Sequence, residues 1–285
     1  LQPQELLGLT ATPERGDGEN VQKYFDYRVA HELRLWDALR LQLLVPMHYY
    51  GIADGTDLSS LTWSRGKKDY NTEELSEFYI KAGEKRTRFI VNELNRRIFD
   101  LSEMKAIGFC VTIAHAEYMA RQFQQFGIPA RAVTSDLTAT ERARAIKDLE
   151  TGDVKVLFSV DIFNEGVDIP SVNTLLLLRP TQSPVVFLQQ LGRGLRLSPG
   201  KDSCVILDFI GQQHVDFDFE RKFHALTRKR GKRLAEEIEQ GFPTTPPGSH
   251  IQFDQSTTEQ VLRNVKKVSR LSLIHISEPT RRRGI

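Results

Sequence analysis

The sequence predicts an α/β protein, a parallel sheet covered by helices on both faces and preceded by an insertion of mixed helix and strand. Three observations lead there. From Lys105 onward, short apolar runs alternate with stretches of helical period, the pattern of repeated strand–helix–strand units. The runs over 106–113, 154–160 and 203–209 are nearly continuous in apolar residues, as strands buried on both faces are. Helix caps and breakers fall between those runs: Thr138 with Glu141 reads as a capping box, and Gly152 ends the stretch it opens.

Taken in order, residues 13–26 are polar and glycine-containing and read as a connector. A helical stretch over 36–44 stops before Pro46, and 47–52 reads as a strand. The Asp-, Gly- and Ser-rich residues 53–70 read as loop. Asn71 followed by Glu74 opens a helix through Lys81, and a second helix over 84–99 places Phe89, Ile90, Leu94 and Ile98 on one face. These pieces are expected to form a bridging insertion. After the strand at 106–113, a helix over 114–126 aligns Met119, Phe123 and Phe126 and stops at Gly127-Ile128-Pro129. A short strand at 130–133, the helix from Thr138 to Leu149, and strands at 154–160 and 174–178 follow. Ser183 is a good N-cap and Pro184 suits the first helical position, so a helix starts there with Val186, Leu188 and Leu191 directed inward. Gly192 and Gly194 are expected to end it, and 203–209 is the last strand. Right-handed crossovers place sites at the strand carboxyl ends.

Composition narrows the function. Among 285 residues, 39 Lys and Arg stand against 37 Asp and Glu, so any basic surface is local. One such cluster spans 221–233, with Arg221, Lys222, Arg228, Lys229, Arg230, Lys232 and Arg233; it is either a phosphate-binding face or a solvated helix face. Cys110 and Cys204 both lie in apolar runs, which excludes a cysteine-rich metal centre and suits a reducing compartment. No apolar run approaches the roughly 20 residues of a membrane span, so a cytoplasmic protein without a membrane partner is expected.

Chemistry concentrates at Gln189, Gly192, Arg193 and Arg196. Two guanidiniums beyond a glycine-weakened helix end suit phosphate oxygens, because each offers planar, permanently charged, bidentate donors. The spacing Gln-x-x-Gly-Arg-x-x-Arg resembles the sixth motif of superfamily 2 helicases and translocases. Three further segments resemble motifs of that family in the same order: Thr10-Ala11-Thr12-Pro13 the third, 108–117 the fourth and 158–170 the fifth.

The resemblance implies a second RecA-like domain over 105–215, preceded by the end of a first one at 1–20 and a connector with insertion at 21–104. Residues 216–270 then form a basic helix and linker toward a further domain. Residues 271–285 resemble adapter read-through, with a native basic tail as the alternative. It also implies ATP with magnesium, held mainly by a first domain outside the chain. Arg193 and Arg196, with Gln189, would act as the arginine-finger group; Gly166, Asp168 and Gly192 would border the nucleotide. Thr112 and Ser159 would face nucleic acid, taken as DNA; Arg179 and Thr181 either touch it or pin their loop. Thr10 and Thr12 would couple hydrolysis to movement. Val160 stands where many members have a strand-contacting threonine, and Ser135 where a glycine is common.

The wording across 161–196 is closest to bacterial helicase-like proteins that join a phospholipase-D-like nuclease domain, a motor core and a carboxyl-terminal domain of unknown function. Motor subunits of restriction enzymes are near relatives. The implied activity is that of an ATP-dependent helicase or translocase. The alternatives are the motor of a restriction or antiphage nuclease, or a nucleic-acid-binding module that hydrolyses nothing alone. No Walker lysine loop or Asp-Glu box occurs in these residues. His115 and Glu117 imitate the His-x-Glu of zinc deaminases, but the Pro-Cys-x-x-Cys that must follow is absent.

Overall fold

The computed structural model describes residues 6–8, 10, 21–160 and 168–277, the last ten by backbone alone. Its elements in chain order are α1 (Leu35–Arg40), β1 (Met47–Asp57), β2 (Trp63–Ser64), β3 (Asp69–Tyr70), α2 (Thr72–Arg97), β4 (Ala106–Phe109) and α3 (Ile113–Gln125). Next come β5 (Ala130–Val133), α4 (Ala139–Thr151), β6 (Val156–Ser159), β7 (Thr174–Leu177), α5 (Pro184–Gly194) and β8 (Cys204–Gln212). The chain continues through α6 (Phe219–Thr227), α7 (Gly231–Glu239), β9 (His250–Phe253) and α8 (Gln255–Ser277). Seven strands make one sheet in the order β5-β6-β4-β7-β8-β1-β9, parallel at every pairing.

The predicted class therefore holds, with one change of architecture. The segment expected to be a bridging insertion contributes a strand to the main sheet, because β1 pairs with β8 from Met47↔Cys204 to Ala53↔Ile210. Strand β9, too short and too close to the turn at Gly248 to stand out in sequence, adds the edge beside β1. Residues 250–253 are thus sheet, where the composition suggests a linker.

Helices cover both faces. On one, Ile90, Val91 and Leu94 of α2 join Ala116, Met119, Ala120 and Phe123 of α3. On the other, Leu149 of α4, Phe187 and Leu191 of α5, Phe223 of α6, Leu234 of α7 and Val261 of α8 close over Tyr49, Ile107, Leu175 and Ile206.

Local chemistry explains the boundaries. Asn71 accepts from the Glu74 amide at the start of α2, and Thr138 with Glu141 forms the full capping box of α4, which ends on left-handed Gly152. The two helices expected over 71–81 and 84–99 are both present within the α2 span and meet at a kink at Gly83, whose φ of 63° and ψ of −146° few residues other than glycine adopt. Ser183 caps α5 with Pro184 in its first turn, as predicted. The buried face, however, is Phe187, Gln190, Leu191 and Gly194, and Val186 and Leu188 are only half-buried. The helix ends at Gly194, with Gly192 in its last turn, as expected.

Candidate nucleotide and nucleic-acid site

Helix α5 delivers the arginines. Arg193 sits in its last turn, half-buried and engaged within the protein. Arg196 lies just past the cap residue Leu195, so the two do not share one helical face. Its guanidinium pairs with the carboxylate of Asp168, with 34% of the Arg196 side chain and 68% of the Asp168 side chain exposed. This is an open pair, in reach of solvent and of a ligand. Lys201 fixes the backbone beneath it by donating from Nζ to the carbonyls of Arg196 and Pro170, both at 2.9 Å. Burial lowers the pKa of Lys201, with the nearby Arg196 acting the same way.

The two glycines of this stretch have different neighbours. A Cβ on Gly194 would meet Cys204 Sγ at 2.5 Å and Leu175 at 2.9 Å, so close packing on β7 and β8 requires glycine there. Gly192 has nothing within 4 Å of the same position. Gln189 is half-buried; its neighbour Gln190, which sequence reasoning passes over, is buried with Oε1 lacking a partner among the described residues. Gly166 and Thr12 lie outside the described residues, and Thr10 is exposed.

The strand ends carry the other candidates. Thr112 caps α3, accepting from the His115 amide at 3.2 Å, and its Oγ1 also lies 2.5 Å from Ser76 Oγ. Arg179 is half-buried after β7, near enough to the carboxyl of Asp69 to oppose the upward push that burial gives its pKa. Thr181 is buried, which favours the loop-pinning alternative in this conformation. Ser159 needs correction as a strand contact: at the end of β6 it is fully covered, and its hydroxyl has no partner among the described residues.

Sequence reasoning misses a polar chain beneath this edge. Arg86 Nε donates to Asp54 at 2.9 Å, Arg86 Nη2 to the Leu178 carbonyl at 3.4 Å, and the guanidinium lies 3.9 Å from the Tyr79 ring centroid. Tyr79 in turn stacks on His115 at 5.4 Å. Burial, aided by Arg86, pushes the His115 pKa down to about 3, so the ring is neutral and its Nδ1 accepts from the Val111 amide. The available signal is position: Arg86 stands four residues before Ile90, on the apolar stripe of α2. A second buried pair corrects the basic cluster at 221–233, since Lys222 turns inward to Asp208, which also accepts from the Tyr49 hydroxyl. Asp208 interrupts an apolar strand, the mark of a carboxylate with a buried partner. No group of three or more His, Cys, Asp or Glu converges as metal ligands among the described residues.

Residues 88–198 match the family model of the helicase conserved C-terminal domain. A 51.5 kDa protein of a Lactococcus phage is 28% identical over 233 residues, covering 80% of this chain and 49% of that protein. A Saccharomyces cerevisiae protein named as the putative ATP-dependent helicase IRC3 is 30% identical over 217 residues, covering 74% of this chain and 30% of its own length. This chain thus spans between 30% and 49% of those two curated relatives. Among solved structures, the type ISP restriction-modification enzyme LlaBIII bound to DNA matches the fold with a TM-score of 0.55 at 17% identity, over 94% of this chain and 20% of that one.

Proposed function

We propose, from the match of residues 88–198 to the helicase conserved C-terminal domain and the likeness to IRC3, that this chain holds a superfamily 2 helicase C-terminal domain and supplies the arginine-bearing half of an ATP site in an ATP-dependent helicase or translocase. The observation that carries the reading is the open pair of Arg196 with Asp168 at the end of α5. An exposed guanidinium held by one carboxylate is already oriented and can exchange that partner for phosphate oxygens with little rearrangement. Arg193 approaches from the preceding turn, and Gly192 leaves its surface clear of side-chain atoms.

A first RecA-like domain, in sequence beyond the chain, would bind ATP and its magnesium. Closure of the two domains would bring Arg196 onto the γ-phosphate, while the freed Asp168 carboxylate could accept from a ribose hydroxyl. Arginine fingers accelerate phosphoryl transfer by roughly 10³ to 10⁵, about 4 to 7 kcal/mol of barrier. Nucleic acid would run along the strand carboxyl ends past Thr112 and Arg179, and reopening after hydrolysis would advance the strand. The test is ATP turnover by the longer protein with and without single-stranded nucleic acid. Turnover stimulated by the strand is the expected result, and no turnover in either condition refutes the reading.

A further inference from the structure

A small hairpin stands on the same edge of the sheet as Thr112 and Arg179. Strands β2 and β3 pair antiparallel, Trp63 opposite Tyr70 and Ser64 opposite Asp69. The tip between them reads Arg65-Gly66-Lys67-Lys68, and all four of its residues are exposed. None of its three cationic side chains has an ion pair or hydrogen bond among the described residues.

The base of this hairpin is fastened firmly. Tyr70 is buried, accepts from the His214 amide at 2.6 Å and donates to Gln213 Oε1 at 3.0 Å. Trp63 stacks on the His214 ring at 5.0 Å with 3° between the planes. The Gln182 side-chain amide bridges the Lys68 carbonyl to the Asp218 backbone amide, so the tip is tied to the loop that also holds Arg179 and Thr181. Lys68 itself has a φ of 52°, a left-handed conformation that costs a side-chain-bearing residue about 1 kcal/mol and glycine nothing. An anchored turn that keeps a strained lysine where glycine would be relaxed points to a use for the charge.

We propose that the Trp63–Tyr70 hairpin is a phosphate-backbone contact of the nucleic-acid track, with Arg65, Lys67 and Lys68 neutralising successive phosphates of a single strand. This rests on the reading above that nucleic acid follows this edge. Binding through such cations releases counterions, so removing one phosphate-neutralising cation flattens the salt dependence by about 0.7 in log K per log salt for a single strand.

The test is equilibrium binding of this chain to a fluorescent single-stranded DNA oligonucleotide and to its RNA counterpart, across a range of salt. Replacing Arg65, Lys67 and Lys68 together by Ala should flatten the slope by about 2 and weaken binding about a hundredfold at about 0.1 M salt. The oligonucleotide that shows the weakening identifies the strand. A single Lys68→Gly variant should also bind more weakly while melting no lower than the parent, an outcome that a merely structural lysine does not give. Normal binding and an unchanged slope in both variants overturn the hairpin assignment and leave the wider reading standing. If the unmodified chain binds neither oligonucleotide, both the hairpin assignment and the nucleic-acid part of the wider reading are overturned.

Discussion

Arg86 and Asp54 form an ion pair at 2.9 Å with only 4% and 0% of their side chains exposed, tying α2 beyond its Gly83 break to the end of β1. Removing one member of such a pair leaves an uncompensated buried charge. Asp54→Ala should therefore lower unfolding stability by about 3 to 5 kcal/mol, read from urea denaturation. Replacing both residues by apolar ones should cost distinctly less; equal losses would show that the pair itself is not the cause.

Gly192 and Gly194 separate the packing role of this motif from its site role. Gly194→Ala forces a methyl against Cys204 and Leu175 and should destabilise by about 1 to 3 kcal/mol. Gly192→Ala meets open space inside a helix and should stabilise by about 0.5 to 1 kcal/mol. If Gly192 faces the nucleotide, the same variant lowers ATP turnover in the longer protein despite its firmer fold. Thermal melts and steady-state turnover of both variants check this, and a Gly192→Ala protein with full activity refutes the role.

His115 makes stability depend on acid. Its folded-state pKa of about 3 lies below the ordinary value of 6.5, so in that window the unfolded chain binds the proton and the native one does not. The contribution is complete above pH 6.5 and is lost progressively as pH falls toward 3. Denaturation midpoints measured at neutral pH and about two units below it should differ more for the parent than for His115→Phe, which keeps a ring against Tyr79. Equal differences would remove His115 as the source.

Buried tyrosines set the opposite limit. Tyr49 and Tyr79 have pKa values raised chiefly by burial above the ordinary 10.0, and Asp208 adds to the effect at Tyr49. Above pH 10 the unfolded chain releases phenolic protons that the folded chain keeps, so stability should fall there. Tyr79→Phe should reduce the slope of that fall in alkaline denaturation; an unaltered slope contradicts it.

How much of the fold and site is legible in the sequence depends on the range of the interaction responsible. Caps are local, and Asn71, Thr138 and Ser183 can be read because each acts on an amide three residues away. The sheet over β4 to β8 can be read because most residues of its strands are apolar. The partner of β1 cannot, since Met47 pairs with Cys204, far along the chain, and neither strand encodes the other. Lys222 looks like one more surface cation because Asp208, which draws it inward, lies on a separate element. Arg193 and Arg196 are identified by spacing, but only the C-cap at Leu195 shows that they leave the helix in different ways.

The central claim is tested most directly by Arg196. In the longer protein, Arg196→Ala should cut ATP turnover by roughly 10³ to 10⁵. An exposed ion pair contributes only about 0 to 1 kcal/mol, so the melting temperature should hardly move. Arg196→Lys should fail to restore the rate, because an ammonium lacks the two parallel donors of guanidinium. Turnover of Arg196→Ala within about tenfold of the parent, in a protein that melts normally, would contradict the account.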